Sequence, residues 1–281
     1  MSYSSLSEAM AKTLARARAV LPEGPDQILD ARMLLAHAAG LTRDKLHRLE
    51  LADFTPEFEA RYDALIARRA RGEPVSKILG YRDFWSYRFH VTPDVLDPRP
   101  ETECLIALAL KAPFSQVLDL GTGSGAILLT LLAERPGAKG TGADLSPAAL
   151  QVAAKNAEAL GVAERADLIV SDWFSQVEGQ FDLIVSNPPY IAIEEMSGLS
   201  RDVLGFDPRM ALTDEGDGLS VYRLLAAQSG AWLRPGGRII VEIGPSQGAA
   251  VREFFEAAGF AQVQVHPDLD GRDRNVSAIK G

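Results

Sequence analysis

The chain has a single cysteine, Cys104, so no disulfide can close within it. A reducing setting, the cytoplasm, is expected. Histidine is scarce too. His37, His47, His90 and His266 are scattered without ligand spacing, and no metal is expected. No apolar run reaches the ~18 residues that cross a bilayer, so no membrane partner is expected. Met1 to Met10 lack the charged-then-apolar pattern of a secretory leader, and none is expected. A basic excess is also missing. The formal net charge is −9, which argues against direct nucleic-acid binding while leaving room for a local basic patch.

What is present is core-forming material. Hydrophobic residues make up 47% of 281, enough for about two domains. Residues 1 to 72 read as helical. Leu6, Met10, Leu14, Ala17 and Leu21 recur at helical spacing after a serine-rich start that can cap. Asp26 is placed to cap a second helix through Leu34 and Leu35 to Gly40. Thr55-Pro56-Glu57 starts a third, with Phe58, Tyr62, Leu65 and Ile66 on one face. Arg68, Arg69 and Arg71 sit where the helix dipole favours cations, as a solvated end or a dock for an acidic or RNA-bound partner. Residues 73 to 100 carry Phe84, Trp85, Tyr87, Phe89 and Val91. They read as a β-hairpin linker whose rings pack between the domains. Pro98 and Pro100 stiffen the segment before Thr102 and Glu103 open a helix. That segment is fit to line a pocket or to serve as a plain joint.

From Val117 strands and helices alternate, as in a doubly wound sheet. Val117 to Leu120 is the first strand, and Gly121-Thr122-Gly123-Ser124-Gly125 turns into a helix. Glycines there let a ligand approach the backbone, and the helix start favours negative charge. Alone this is weak evidence, because the spacing is not the dinucleotide pattern. A second strand, from about Lys139, ends at Asp144, about 20 residues on and placed to accept ribose hydroxyls. Ser146-Pro147 caps the next helix. A third strand ends at Ser171-Asp172-Trp173, an acid and a ring suited to an adenine. The fourth, Leu183 to Val185, stops at Asn187-Pro188-Pro189-Tyr190. Proline cannot continue the ladder, so Asn187 leaves the sheet at its carboxyl end, where such sheets bind ligands. The Asn187 amide, the Pro188 carbonyl and the Tyr190 ring suit a small planar group with N–H bonds to give. The same residues fit a simple turn with Tyr190 as packing. Ile191 to Glu215 shows no periodicity and reads as a substrate-facing loop. A fifth strand is read over Gly237 to Gly244. Ala261 to Val265 and Asn275 to Ile279 have no crossover helix between them and should pair antiparallel.

Taken in order, Asp119 to Gly125, Asp144, Asp172-Trp173-Phe174 and Asn187 to Tyr190 resemble the class I S-adenosylmethionine-dependent methyltransferases. Within them the chain resembles the N5-glutamine methyltransferases that modify peptide chain release factors. Gly72-Glu73-Pro74, Gly80 with Phe84, and Pro98-Arg99-Pro100 with Thr102-Glu103 extend the likeness over nearly the whole chain. Asp97 departs from it where an apolar residue is expected, and Asp207 where Glu is expected.

The resemblance implies an α/β fold with three parts: an N-terminal helical substrate-recognition domain (1–72), a hairpin linker (73–100) and a catalytic domain (101–281). The catalytic domain would hold a seven-stranded, doubly wound Rossmann-like sheet. The cofactor implied is S-adenosylmethionine, leaving S-adenosylhomocysteine, held by Gly121, Thr122, Gly123, Ser124, Gly125, Asp144, Asp172, Trp173 and Asn187. The substrate implied is the glutamine of the Gly-Gly-Gln motif in release factors 1 and 2, met by Asn187, Pro188, Pro189 and Tyr190 on a monomeric enzyme. Asn187, Pro188 and Tyr190 would be catalytic. A ribosomal-protein glutamine, an exocyclic amine of nucleic acid, and a non-catalytic cofactor-binding module are the competing readings.

Overall fold

A computed structural model describes residues 3–281; Met1 and Ser2, the start of the expected helical domain, lie outside the described residues. The chain forms two compact units. One is Met1–Gly80 with Arg201–Phe206, the other Tyr81–Ser200 with Asp207–Gly281. No helix among the described residues is long and apolar enough to cross a membrane.

In the first unit, Leu6–Val20 starts where the Ser5 hydroxyl accepts from the Glu8 amide at 3.2 Å. Pro56–Ala70 starts likewise, with Thr55 accepting from Phe58 at 3.2 Å and Phe58, Tyr62 and Ile66 turned inward. The Tyr62 hydroxyl donates to the Ala31 carbonyl at 3.1 Å, tying this helix to Gln27–Ala38. Asp26 occupies the cap position of Gln27–Ala38 but makes no side-chain cap bond, because its own backbone is already helical. The helix Val75–Leu79 was not expected within the stretch read as linker. The arginine cluster is also largely spoken for. Arg68 pairs with Glu73 at 2.5 Å, and Arg69 bridges Asp30 at 2.8 Å and Asp202 at 2.9 Å.

The second unit opens with an antiparallel hairpin, β1 (Tyr81–Phe84) and β2 (Tyr87–His90). Phe84 and Phe89 meet edge-on, centroids 6.0 Å apart, and join the cluster of Leu105, Val117, Leu128 and Leu183. These rings therefore belong to the core of their own unit, where the sequence reading put them at a joint. Seven strands follow: β3 (Gln116–Leu120), β4 (Lys139–Asp144), β5 (Ala166–Val170), β6 (Phe181–Ser186), β7 (Leu233–Glu242), β8 (Ala261–Pro267) and β9 (Asp273–Ile279). Their order is β5-β4-β3-β6-β7-β9-β8. The first five run parallel, and β9 lies antiparallel to both β7 and β8. The β8–β9 turn is short because Asp268 accepts from the amides of Asp270 and Arg272, both at 3.0 Å, leaving no room for a crossover helix.

Alternate strand residues feed two cores, as the pleat requires. Val117, Leu183 and Val185 pack on one face, and Leu118, Leu120 and Ile184 on the other. β7 begins earlier than read. Its pairing jumps from Phe181↔Leu233 to Leu183↔Arg238, so the Pro235-Gly236 stretch bulges without ending the strand. Strand order reverses beside β3, between β4 and β6, which is where open α/β sheets leave a crevice. Register pairs Leu120 with Ser186, so Gly121 and Asn187 leave the sheet side by side.

Candidate functional site

A cavity of about 640 Å³ opens at that crevice. Gly121 to Ser124 form one wall. Asp144 to Ser146 close the β4 side, Ser171 to Trp173 the β5 side, and Asn187 and Pro189 the β6 side. Asp94 to Arg99 with Thr102, and Pro208 to Ala211 with Thr213 to Glu215, complete it. The rigid proline segment before Thr102 is thus a pocket wall, and the end of the aperiodic loop is another.

The glycine turn is fixed by its backbone. Gly121, Gly123 and Gly125 have φ of +72°, +55° and +79°, values L side chains resist. Gly121 and Thr122 amides both donate to the Ala143 carbonyl, at 2.8 and 3.0 Å. A Cβ on Gly123 would meet no protein atom within 4 Å, so that residue faces open space. Gly125 is different. It is off the cavity wall, and a Cβ there would lie 2.7 Å from Leu129 Cδ1, so its smallness serves helix packing.

Asp144 accepts from the Gly123 amide at 2.8 Å through Oδ2 and from Ser146 at 2.9 Å through Oδ1. Each oxygen keeps a second lone pair for a hydroxyl ligand. Ser146 caps its helix by accepting from Ala149 at 3.2 Å, so Asp144 is not needed for that. Asp172 is exposed on the wall. Trp173, half-buried with φ +49°, also packs on the core cluster around Leu118. Leu145, 56% exposed beside Asp144, is an apolar wall residue that the sequence reading missed; its only signal was its place after the strand-ending acid.

The β6 tip is anchored by Ser186, whose hydroxyl donates to the Leu120 carbonyl at 2.7 Å. Half-buried Asn187 turns Nδ2 toward Thr102 Oγ1 at 3.3 Å. Pro188 is buried and Pro189 faces the cavity. Tyr190 is off the wall. Its ring packs on the core, burial raises its phenol to about 12, and its carbonyl accepts from Gln247 at 2.9 Å. It backs the turn from behind. Arg99 donates to Asp207 at 2.7 Å, so one position that departs from the family pattern forms an ion pair, and the other, Asp97, lies buried on the wall.

Two buried carboxyls lie beneath the cavity; the sequence reading named Asp119 only within its glycine-turn motif, with no role, and did not name Glu242. Asp119 is fully buried, accepts from the Thr122 hydroxyl at 2.7 Å, and is pushed up to about 7 by burial. Glu242, 1% exposed at the end of β7, is also pushed up to about 7 by burial. The sequence signal of Glu242 was an acid inside an apolar strand, and that of Asp119 its place in the glycine-turn motif.

Comparison with known proteins bears on what this cavity holds. The family profile described as "Methyltransferase small domain" matches residues 100–221, and "PrmC N-terminal domain" matches residues 12–80. The release factor glutamine methyltransferase of Cereibacter sphaeroides is 58% identical over 250 residues, covering 89% of this chain and 90% of that one. That of Rhodospirillum rubrum is 46% identical, covering 87% and 76%. Among solved structures, a methyltransferase from Pyrococcus furiosus aligns with a TM-score of 0.52 at 19% identity, over 69% of this chain and 88% of that one. The T. thermophilus 16S rRNA N2 G1207 methyltransferase aligns at 0.51 and 24% identity, over 72% and 50%. At those identities the two structures share the fold.

Proposed function

The chain belongs to the release factor glutamine methyltransferases, which use S-adenosylmethionine, and from that premise we propose its reaction: methyl transfer to the side-chain amide nitrogen (N5) of the glutamine in the Gly-Gly-Gln motif of release factors 1 and 2. The observation that carries this reading is the placement of Asn187 beside the glycine turn, on the wall of one cavity.

The residues fit the cofactor. Asp144 faces the cavity with lone pairs for ribose hydroxyls, and Asp172, Trp173 and Leu145 offer an acceptor and apolar surface to a purine. Gly121 and Gly123 give close backbone approach, and Thr122 and Ser124 share that wall. S-adenosylmethionine supplies a methyl group on a positively charged sulfur. An amide nitrogen is a poor nucleophile because its lone pair is delocalised into the carbonyl. The protein's part is therefore to orient that nitrogen and favour its rehybridisation. The Asn187 Oδ1 and the Pro188 carbonyl each accept one N–H of the glutamine amide. Pro189 lines the approach, and Tyr190 holds the turn in place. All the wall residues belong to the second unit, which leaves the helical unit as the proposed element for recognising the release factor.

The test is mass spectrometry of the release-factor tryptic peptide after incubation with S-adenosylmethionine and this protein. One added methyl on the Gly-Gly-Gln glutamine is expected. Asn187→Ala should abolish the gain while binding the cofactor as wild type does by calorimetry. Undiminished transfer by that variant removes the role assigned to Asn187, and methylation of RNA or another protein in its place removes the substrate assignment.

A further inference from the structure

Behind Asn187 lies a buried polar group that the reaction just described leaves unused. Glu242 ends β7 opposite Asn275 of β9, and its backbone carbonyl accepts from the Tyr222 hydroxyl at 2.8 Å. Its side chain is 1% exposed, the side chains of Thr102 and Asn187 stand close enough to favour its charged form, and Oε2 has no hydrogen-bond partner. Thr102, itself 4% exposed, accepts from Asn187 Nδ2 at 3.3 Å. The nearby guanidinium of Arg274 is directed to the Ile243 carbonyl and to Asp268.

The arrangement settles which way the Asn187 amide faces. A carboxamide has one end that accepts and one that donates, and the two are alike in shape. A carboxylate can only accept. Thr102 has one hydroxyl proton; once that proton is given to Glu242, Thr102 too can only accept toward Asn187. Both groups behind Asn187 thus attract Nδ2 and repel Oδ1. The oxygen is left to face the cavity, the orientation needed to receive an N–H.

We propose that Glu242, with Thr102 as relay, is a positioning residue that holds Asn187 with its oxygen toward the substrate amide. This rests on the amide-nitrogen reading of the site. Ionisation of Glu242 matters to the mechanism, since a protonated carboxyl becomes a donor and tolerates the inverted amide. The ionisable groups around it are Glu101 before the helix Glu103–Ala109, Cys104 within that helix, Tyr190, Tyr222 and Arg274.

Glu242→Gln keeps size and shape but brings an N–H₂ that can donate to Asn187 Oδ1. Steady-state methylation of a full-length class 1 release factor should show kcat lowered at least tenfold, with KM for S-adenosylmethionine within twofold of wild type. Wild-type kcat should fall as pH drops through about 7, where burial places the Glu242 carboxyl, and the variant should lack that limb. Thr102→Val should match the loss, and Thr102→Ser should stay within about threefold of wild type. The threonine pair decides the matter if Glu242→Gln fails to fold. A Glu242→Gln kcat within twofold of wild type overturns the inference, as do equal losses in Thr102→Val and Thr102→Ser. Those results leave the proposed reaction standing. Wild-type protein that methylates no glutamine overturns both.

Discussion

A β-carbon on residue 218 would lie 2.3 Å from the Tyr190 carbonyl oxygen, inside any tolerable contact. Gly218 also has φ +73°, and so does Gly236, whose added β-carbon would meet nothing within 4 Å. The two alanine variants therefore carry the same backbone strain, on the order of 1–2 kcal/mol, but only one strikes the turn after β6. Gly218→Ala should lose ~2–4 kcal/mol of stability and most methyl transfer, and Gly236→Ala about 1 kcal/mol with transfer intact. Denaturant midpoints and turnover check this, and equal midpoints would mean that the turn yields. A second residue-scale outcome concerns pH. Unfolded, Asp119 should ionise near ~3.9, whereas burial lifts it to about 7 in the folded protein. Its contribution is complete below the unfolded value and is lost as pH rises through the folded one. The stability of Asp119→Asn relative to wild type should therefore climb by up to a few kcal/mol between about pH 4 and 7, then level off. A flat difference across that window would show that Asp119 is ionised in the folded state. In sequence this residue was legible only as part of a turn motif; its burial depends on strands that close over it.

The hairpin β1–β2 is tied to the glycine turn by one side chain. Asn156, 1% exposed, accepts from the His90 amide at 2.7 Å and donates to the carbonyls of His90 at 3.0 Å and Ser124 at 2.8 Å. Three buried bonds at roughly 1 kcal/mol each put the cost of Asn156→Ala at about 2–4 kcal/mol. Amide hydrogen exchange across residues 81–90 should quicken more than in β3 or β6; uniform quickening would make the effect global. Elements of both units were readable wherever turn chemistry bounds an apolar run, as at Thr55-Pro56, Ser146-Pro147 and Pro188-Pro189. The early start of β7 was not, because Pro235-Gly236 reads as a stop and only the register with Phe181 shows it to be a bulge. Val75–Leu79 is too short to show a helical period. Asn156 was silent because its partners, His90 and Ser124, are remote in sequence.

The division into units was the least legible feature, since the first unit includes a segment far down the chain. Arg201–Phe206 belongs with the N-terminal helices although the stretch around it shows no pattern. Its attachment is electrostatic in part: Arg69, 17% exposed in its side chain, pairs with Asp202 and with the half-buried Asp30. Helical spacing showed Arg69 at a helix end but could not show two carboxylates converging on it. Arg69→Ala should cost about 1–3 kcal/mol, between the values for exposed and fully buried pairs, because it strands the Asp30 carboxylate in a desolvated place. Burial already raises Asp30. Without its partner the charge penalty applies at neutral pH and lifts as the carboxyl takes a proton, so the deficit of Arg69→Ala should shrink on acidification. Exchange at the amides of 201–206 should rise at least tenfold at pH 7, with that rise reduced in acid. Unchanged exchange there would mean that the segment is held by apolar contacts such as Phe206, and that the ion pairs follow its docking instead of causing it.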